Sequence, residues 1–147
     1  MVNVRGCSFP EELLYDVPHH VWYRPEGEGL LRLGMTQVGV ALAREVLIFT
    51  PKRVGRPFAA EKALATVESA KWAGSVRAGF DGTVVAVNEA LVPRADPVNT
   101  DCYGAGWLMI VRPAAENWRD VFVTGADIEP AYEQWMEDNG FAGCGVA

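Results

Sequence analysis

Short apolar segments alternate with turn residues along this chain, and this pattern constrains the fold more than any other feature. Five of these segments have the composition of short β-strands: residues 29–34, 46–49, 63–67, 83–87 and 107–111. The Asp81-Gly82 pair, a strong turn signal, directly precedes one of them. Strands this short and this closely spaced predict a mainly β sandwich or barrel.

Two segments have a helical rather than a strand period. Thr36 is a candidate N-cap for a short helix that runs to about Arg44. One face of a second helix, near the C-terminus, carries Ile128, Tyr132, Trp135 and Met136. Asp127 is its candidate cap, and Asn139-Gly140 is the expected stop. We expect this aromatic stripe to pack on the sheet; a partner-binding face is the alternative.

Length and charge exclude several classes of function. The chain has 147 residues, which fits a single domain over 1–147 with a substantial core. Its formal net charge of -6 argues against a nucleic-acid partner, because phosphate binding needs clustered Lys and Arg. The apolar runs are too short for membrane insertion, and residues 1–10 lack the apolar core of a signal peptide. A cytoplasmic location is therefore the expectation.

The cysteines and histidines offer little material for a metal site. Cys7, Cys102 and Cys144 contain no Cys-x-x-Cys pair, and the side chains of the adjacent His19 and His20 diverge in regular structure. We therefore expect no metal ligands and no disulfide framework. Cys7 and Cys144 lie near the chain ends, where we expect incidental exposure, with reactive thiols as the alternative. A redox role of the three cysteines stays open.

Lysine is rare in this chain, which contains only Lys52, Lys62 and Lys71. Lys71 lies between the strand at 63–67 and another short strand at 76–78, so the pattern places it at or near a hairpin turn. An amine at such a turn is within reach of a modifying enzyme, and acylation would remove its charge and lengthen the side chain. On residue type alone, a solvated turn lysine is the ordinary interpretation.

The residues around Lys71 support a more specific interpretation. Glu68-Ser69-Ala70-Lys71 resembles the Glu-Ser-x-Lys signature that carries lipoate on its lysine in glycine-cleavage H-proteins. Other segments resemble motifs of the same family in the same order: residues 20–22, 33–36, 81–91 and 98–108. Biotin carriers have a related fold, but they usually have methionine on both sides of the lysine, where this chain has Ala70 and Trp72.

The resemblance covers about residues 15–138 and implies a lipoyl/biotinyl-type barrel-sandwich hybrid with short flanking helices and a C-terminal helix. It implies a carrier protein without catalytic residues, with lipoate bound covalently to Lys71 and a lipoate-attaching enzyme as a partner. Glu68 then serves recognition by that enzyme, or is only a strand-end charge. Ser69 supports the turn through its hydroxyl. Trp72 lies beside the apolar arm or fills the core.

Several residues depart from the H-protein pattern. Trp72 stands where small residues are usual, Cys102 replaces a proline, and an extension that includes Cys7 precedes the matching region. These features and the segment at 49–56 resemble the lipoate-binding proteins of the heterodisulfide-reductase-like sulfur-oxidation pathway. That resemblance implies a sulfur intermediate as cargo and a heterodisulfide-reductase-like complex as partner. The alternatives are a glycine-cleavage H-protein that carries an aminomethyl group, and a regulatory or binding homologue without lipoate.

Two other groups of residues have both a functional and an ordinary interpretation. Lys52, Arg53 and Arg56 form a basic patch that suits an acidic partner, or they are simply solvated. His19 and His20 contact a docked arm or titrate near neutral pH, although a structural role at the start of a strand is the expectation. An autonomous enzyme is not expected, because the sequence has neither a nucleophile–base arrangement nor a phosphate-binding glycine loop.

Overall fold

The computed structural model describes residues 1–145, which form short β-strands and three α-helices. The strands are β1 (Val2–Val4), β2 (Cys7–Phe9), β3 (Leu14–Asp16), β4 (Val21–Gly27), β5 (Leu30–Met35), β6 (Ile48–Pro51), β7 (Pro57–Phe58), β8 (Ala63–Glu68), β9 (Ala73–Arg77), β10 (Gly82–Val87) and β11 (Met109–Pro113). The helices are α1 (Gln37–Ala43), α2 (Asp96–Thr100) and α3 (Ile128–Asp138).

Two antiparallel sheets form the body of the fold. The larger sheet has the order β3-β4-β5-β11-β10-β7, and the smaller has the order β6-β8-β9. A separate hairpin of β1 and β2 adds a third, two-stranded sheet. This is the mainly β architecture with a C-terminal helix that the sequence predicts. In the part of the chain that is described, no helix is both long and apolar enough to cross a membrane.

The two sheets share one apolar core. Buried side chains from both include Phe49, Leu64 and Val67 of the smaller sheet and Leu31, Leu33 and Val111 of the larger one. In β8, Leu64 and Val67 face the core, whereas Thr66 and Glu68 face solvent. The buried face anchors β8 and β9, so the hairpin that joins them projects from a packed support.

A second apolar cluster joins the two chain ends. The Phe9 ring stacks on the Tyr132 ring of α3 with centroids 4.1 Å apart. Ile128 and Met136, on the same helix face, are fully buried, whereas Trp135 is only partly buried. The cluster also contains side chains of β3 and β4, so the predicted packing of the aromatic stripe on the sheet is confirmed.

The expectation of exposed, unpaired cysteines at the chain ends is wrong. Cys7 and Cys144 form a disulfide with their Cα atoms 4.9 Å apart, and both residues are buried. The Cys144 N–H also donates to the Arg5 carbonyl (3.1 Å). Gly6, at φ +82°, lies so close that a Cβ there would be 2.6 Å from the Cys144 carbonyl oxygen. Folding brings together residues that are separated by 137 positions, which sequence spacing cannot indicate.

The helix limits agree with the sequence more closely than the strand limits. The Thr36 hydroxyl accepts the Gly39 N–H (3.2 Å), so Thr36 caps α1 as predicted. Asp127 occupies the N-cap position of α3 without a side-chain cap bond, because a 3-10 turn over Gly125–Asp127 leads directly into the helix. The chain leaves α3 through Asn139 and Gly140, and Gly140 has φ +62°.

Two strands begin two residues later than the apolar runs suggest. The side-chain amide of Asn99 accepts the Val46 N–H (2.8 Å) and donates to the Val46 carbonyl (2.9 Å), so strand pairing begins only at Ile48. Similarly, the Asn88 amide donates to the Trp107 carbonyl (2.8 Å), and β11 begins at Met109. In both places a hydrogen bond with an asparagine side chain takes the place of a backbone hydrogen bond between neighbouring strands.

Candidate cofactor-attachment site

Lys71 lies at the tip of the hairpin between β8 and β9, where the sequence predicts a turn. Glu68 and Ala73 are the last residues in register, and the chain reverses direction through Ala70 and Lys71. The Lys71 side chain is exposed, and none of the ion pairs within residues 1–145 involves it. A packed pair of strands therefore presents a free amine to solvent.

Ser69 closes this turn. Its backbone N–H donates to the Trp72 carbonyl (2.8 Å), and its hydroxyl donates to the same oxygen (3.4 Å). Two donors on one carbonyl hold the strands together immediately below the tip. The hydroxyl contact is the one predicted for Ser69.

Glu68 lies on the outer face of the smaller sheet, in register with Ile48. Its backbone carbonyl accepts the Leu47 N–H (2.8 Å), which ties the segment before β6 to the base of the hairpin. The Glu68 carboxylate has no ion pair with Lys71 or with any other described residue. The structure is compatible with both interpretations of this charge, an enzyme contact and a solvated strand end.

Trp72 folds back along β9 instead of entering the core. Its ring lies against Gly74 so closely that a Cβ at position 74 would overlap it. The residue is 41% exposed, and it lines a small, partly open cavity. Trp72 thus forms a wall between the lysine turn and the body of the protein.

That space, which we call the Trp72 cavity, has a volume of about 90 Å³. Its lining is His19, His20, Val21, Met35, Gly39, Leu42, Val67, Trp72, Ser75 and Val76. The side chains are mostly apolar, and no carboxylate is among these lining residues. It offers a concave, partly open and weakly polar surface beside the lysine turn.

His20 is a partly buried polar residue of this lining. Its ring meets the Trp135 ring edge-on, with centroids 4.5 Å apart, and its Nδ1 has no hydrogen-bond partner among the described residues. Burial, together with the charge of neighbouring His19, lowers the pKa of His20 to about 4. The imidazole is therefore neutral at pH 7.

His19 belongs to a cluster of charges that the sequence did not reveal. Its Nδ1 lies 2.6 Å from an Asp16 carboxylate oxygen, and its Nε2 lies 2.7 Å from a Glu61 carboxylate oxygen. Burial lowers the pKa of His19, but the hydrogen bonds and charges of the two carboxylates outweigh it and raise the pKa above its ordinary value. Burial also raises the pKa of Asp16, which the bond to His19 only partly offsets. Only the Asp16–His19 spacing was a possible sequence signal, because Glu61 comes from a distant loop.

The basic residues predicted as a patch are remote from the lysine turn. The Lys52 N–H donates to the Leu64 carbonyl (2.8 Å), which is at the opposite end of β8 from Lys71. Lys52 and Arg53 line a separate open cavity of about 530 Å³, whereas Arg56 is not part of its lining. The structure thus brings two of the three residues together, away from the hairpin tip.

The third cysteine, Cys102, is buried with a free thiol. Burial raises the pKa of this thiol to about 12, which makes it a poor nucleophile at neutral pH. Within residues 1–145, no three His, Cys, Asp or Glu side chains are grouped so that they would hold a metal ion.

A packed β-structure that presents one free lysine at a hairpin tip is the architecture of a carrier for a covalently attached group. The model of the glycine cleavage H-protein family matches residues 13–135. The chain therefore belongs to the glycine cleavage H-protein family, whose members are non-catalytic carriers with lipoate bound covalently to a lysine.

Individual relatives support this membership along most of the chain. Glycine cleavage system H protein 5 of Aquifex aeolicus is 42% identical over 118 residues, which are 78% of this chain and 79% of the relative. The H protein 2 of the same organism is 35% identical, with coverages of 90% and 83%. The H protein of Halorhodospira halophila is 36% identical, with coverages of 89% and 97%.

The fold also matches a solved structure of this family. The crystal structure of a glycine cleavage system H protein from Mycobacterium marinum superposes with a TM-score of 0.72 at 28% identity. The match covers 90% of this chain and 100% of the other.

Proposed function

We propose that Lys71 is the lipoate-attachment residue and that the chain acts as a lipoyl carrier for separate partner enzymes. The observation that carries this proposal is the exposed Lys71 amine, which has no ion pair and stands at the tip of a hydrogen-bonded hairpin. Covalent attachment removes the charge of the amine, so a lysine without an ion pair loses no favourable interaction when it is acylated. Open space beside the turn, about 270 Å³ next to Lys71, fits an extended acyl group.

The neighbouring residues have distinct tasks in this proposal. Ser69 keeps the turn closed, so that the backbone of Lys71 stays at a fixed position relative to the sheet while its side chain remains free to move. Trp72 offers an apolar surface next to the attachment point, and Glu68 offers a carboxylate for recognition by the lipoate-attaching enzyme. When bound, lipoate supplies a cyclic disulfide on a flexible tether, which raises its effective concentration at the active sites of partners.

We propose glycine cleavage as the process served, with an aminomethyl group as cargo and the glycine cleavage enzymes as partners. The names of the relatives support this choice, since they are glycine cleavage system H proteins. A lipoate-attaching enzyme is the other partner that a carrier of this kind requires.

Sulfur oxidation is the second candidate, and the lining of the Trp72 cavity favours it. In this candidate, the acyl stem lies in the open space next to Lys71 and the loaded end of the arm is sheltered from water in the Trp72 cavity. A protonated amine needs a carboxylate in such a place, but no carboxylate is among the lining residues and His20 is neutral at pH 7. An uncharged sulfur group suits an apolar lining better, and the partner would then be a heterodisulfide-reductase-like complex.

The first experiment is an intact-mass measurement of the chain from its native cells beside a Lys71→Arg variant. We expect a lipoyl mass increment that is absent in the variant, while the melting temperatures of the two proteins agree within about 1 °C. An unmodified wild-type chain, in cells whose other lipoyl proteins are loaded, would contradict the proposal and indicate a regulatory or binding homologue.

A loading assay separates the two cargoes. The oxidised, lipoylated chain, whose disulfide accepts the electrons released by decarboxylation of glycine, is incubated with glycine and the glycine cleavage enzymes. The reduced chain, whose thiolate can attack the outer sulfur of thiosulfate and release sulfite, is incubated with thiosulfate and a heterodisulfide-reductase-like complex. A mass gain that requires glycine supports the first candidate, and a mass gain that requires thiosulfate supports the second.

A further inference from the structure

Exposed apolar side chains gather around the hairpin tip. Seven large hydrophobic residues are exposed among those whose side chains the structure describes, and four of them lie beside the tip, each between 41% and 49% exposed. We call these four residues the hairpin rim: Leu42, Leu47, Ile48 and Trp72. Isolated exposed hydrophobic residues are ordinary, but a group of four around one functional position indicates an interaction surface.

The first half of the rim comes from the segment before β6 and from β6 itself. Leu47 shares an open cavity with Ser69, Ala70 and Lys71. Ile48, the next residue, lies on the outer face of the smaller sheet in register with Glu68. These two aliphatic side chains therefore flank the base of the turn on both faces of the sheet.

The second half of the rim comes from α1 and from the turn. Leu42, at the end of α1, lines the Trp72 cavity together with Trp72. Both side chains leave about two fifths of their surface in solvent, 44% and 41%. Three separate elements thus contribute apolar surface next to a single lysine.

An unusual backbone turn places the two leucines at the surface. Arg44 has φ +71° and ψ -74°, and the Glu45 N–H donates to the Ala43 carbonyl (3.0 Å), which together define a γ-turn. This conformation is rare and strained for a residue with a Cβ. The turn ends α1 abruptly, so Leu42 before it and Leu47 after it are both exposed.

We propose that the hairpin rim is the surface on which the lipoate-attaching enzyme docks, through an apolar border around its active-site entrance. This inference rests on the proposed attachment at Lys71. In that reaction Nζ forms an amide bond with an activated lipoyl carboxyl, the bond to the activating group breaks, that group leaves with the electron pair, and Nζ gives up a proton. An enzyme that brings its active site to Nζ must cover the side chains beside it.

The charges near the tip favour an apolar contact over an electrostatic one. Arg44 and Glu45 carry opposite charges and line the same cavity as Lys71, and Glu68 and Lys71 carry opposite charges in one hairpin, so the four charges sum to zero and Glu68 offers a single local polar contact. The basic residues Lys52 and Arg53 lie at the other end of β8 and line a different cavity from the one that Lys71 lines. Burial of the rim is therefore the main attraction available at this site.

The test compares two double variants that each remove two exposed aliphatic side chains. Leu47→Ser with Ile48→Ser alters the rim, and Val54→Ser with Val92→Ser is the matched control at the opposite cavity. Unmodified chains are incubated with a lipoate-attaching enzyme, lipoate and ATP, and kcat and KM for lipoylation are measured by intact mass. Acetylation of Lys71 by a small activated ester, measured by peptide mapping, reports the intrinsic accessibility of the amine.

We expect kcat/KM to fall at least tenfold in the rim variant, mainly through KM, with less than a twofold change in the control and equal acetylation rates. If kcat/KM of the rim variant stays within twofold of wild type, or falls equally in the rim and control variants, the docking proposal is wrong, while Lys71 remains the attachment residue. A parallel fall in acetylation overturns it as well, because the turn itself has then changed. If sedimentation shows a wild-type dimer that the rim variant dissociates, the rim is a self-contact instead. Failure to lipoylate wild-type Lys71 refutes the proposed function itself.

Discussion

At the scale of single residues, Gly74 controls where the Trp72 ring lies. A Cβ at position 74 would overlap the ring, which lies flat against β9. We expect Gly74→Ala to lower the free energy of unfolding by about 1–3 kcal/mol, the usual cost of overpacking, and to increase the exposure of Trp72. Urea unfolding and tryptophan fluorescence quenching measure the two effects.

A double-mutant cycle assigns this effect to the ring. In a Trp72→Ala background, Gly74→Ala has nothing to overlap and is expected to cost less than about 0.5 kcal/mol. The neighbouring Ser75→Ala, on an exposed residue, is the control for changes to β9 itself. An equal cost of Gly74→Ala in both backgrounds would show that the backbone, not Trp72, requires glycine there.

The two adjacent histidines are expected to give stability an optimum near pH 6.5. The pKa of His20 falls to about 4 on folding, so its contribution is present above pH 6.5 and is lost as the pH falls toward 4. The pKa of His19 rises above 6.5 on folding, so its contribution is present below pH 6.5 and is lost at higher pH. Buried Asp16, with a raised pKa, acts in the same sense as His19 but over a lower pH range.

Single variants separate the acid and the alkaline decline in stability. The urea midpoint of His20→Asn is expected to lose the wild-type decline between pH 6.5 and 4, which corresponds to about 3 kcal/mol for this shift in pKa. His19→Asn is expected to lose the decline above pH 6.5 and to keep the acid side. A wild-type midpoint that is constant from pH 5 to 8 would contradict both assignments.

At the scale of elements, the sequence predicted the parts of the fold that depend on local contacts. The α1 cap at Thr36, the helical face of α3 and the turn at Lys71 all follow from residues a few positions apart. The exposed lysine turn, our candidate attachment site, was predictable for the same reason, because the turn and its serine are contiguous in the chain.

Elements that depend on distant partners were not predictable in this way. The first residue of β6 is set by Asn99, and the contact of His19 with Glu61 joins positions 42 residues apart. The strands β1 to β3 have three residues each, too few to show a period. The Trp72 cavity is likewise built from several distant segments, so its lack of a carboxylate becomes visible only in the folded chain.

At the scale of the whole molecule, the chain ends and the lysine hairpin lie in different parts of the structure. The disulfide belongs to the cluster that α3 forms with β1 and β2, and Arg5 adds ion pairs to Glu133 (2.5 Å) and Glu137 (3.0 Å) of that helix. The hairpin is instead supported by the core between the two main sheets. Stability of the ends and presentation of Lys71 are therefore expected to be separable.

Replacing both Cys7 and Cys144 by serine tests this separation. A crosslink between residues 137 positions apart restricts the unfolded chain strongly, so we expect the free energy of unfolding to fall by about 2–5 kcal/mol. Hydrogen exchange should increase in β1, β2 and α3, while β8 and β9 keep their protection and Lys71 is lipoylated at the wild-type rate.

Adding reductant should destabilise a Lys71→Arg protein, which has no lipoyl disulfide, and should not affect the same protein once both cysteines are replaced. A double serine variant as stable as wild type, or one that loses lipoylation, would show that the ends and the hairpin do not behave as separate units.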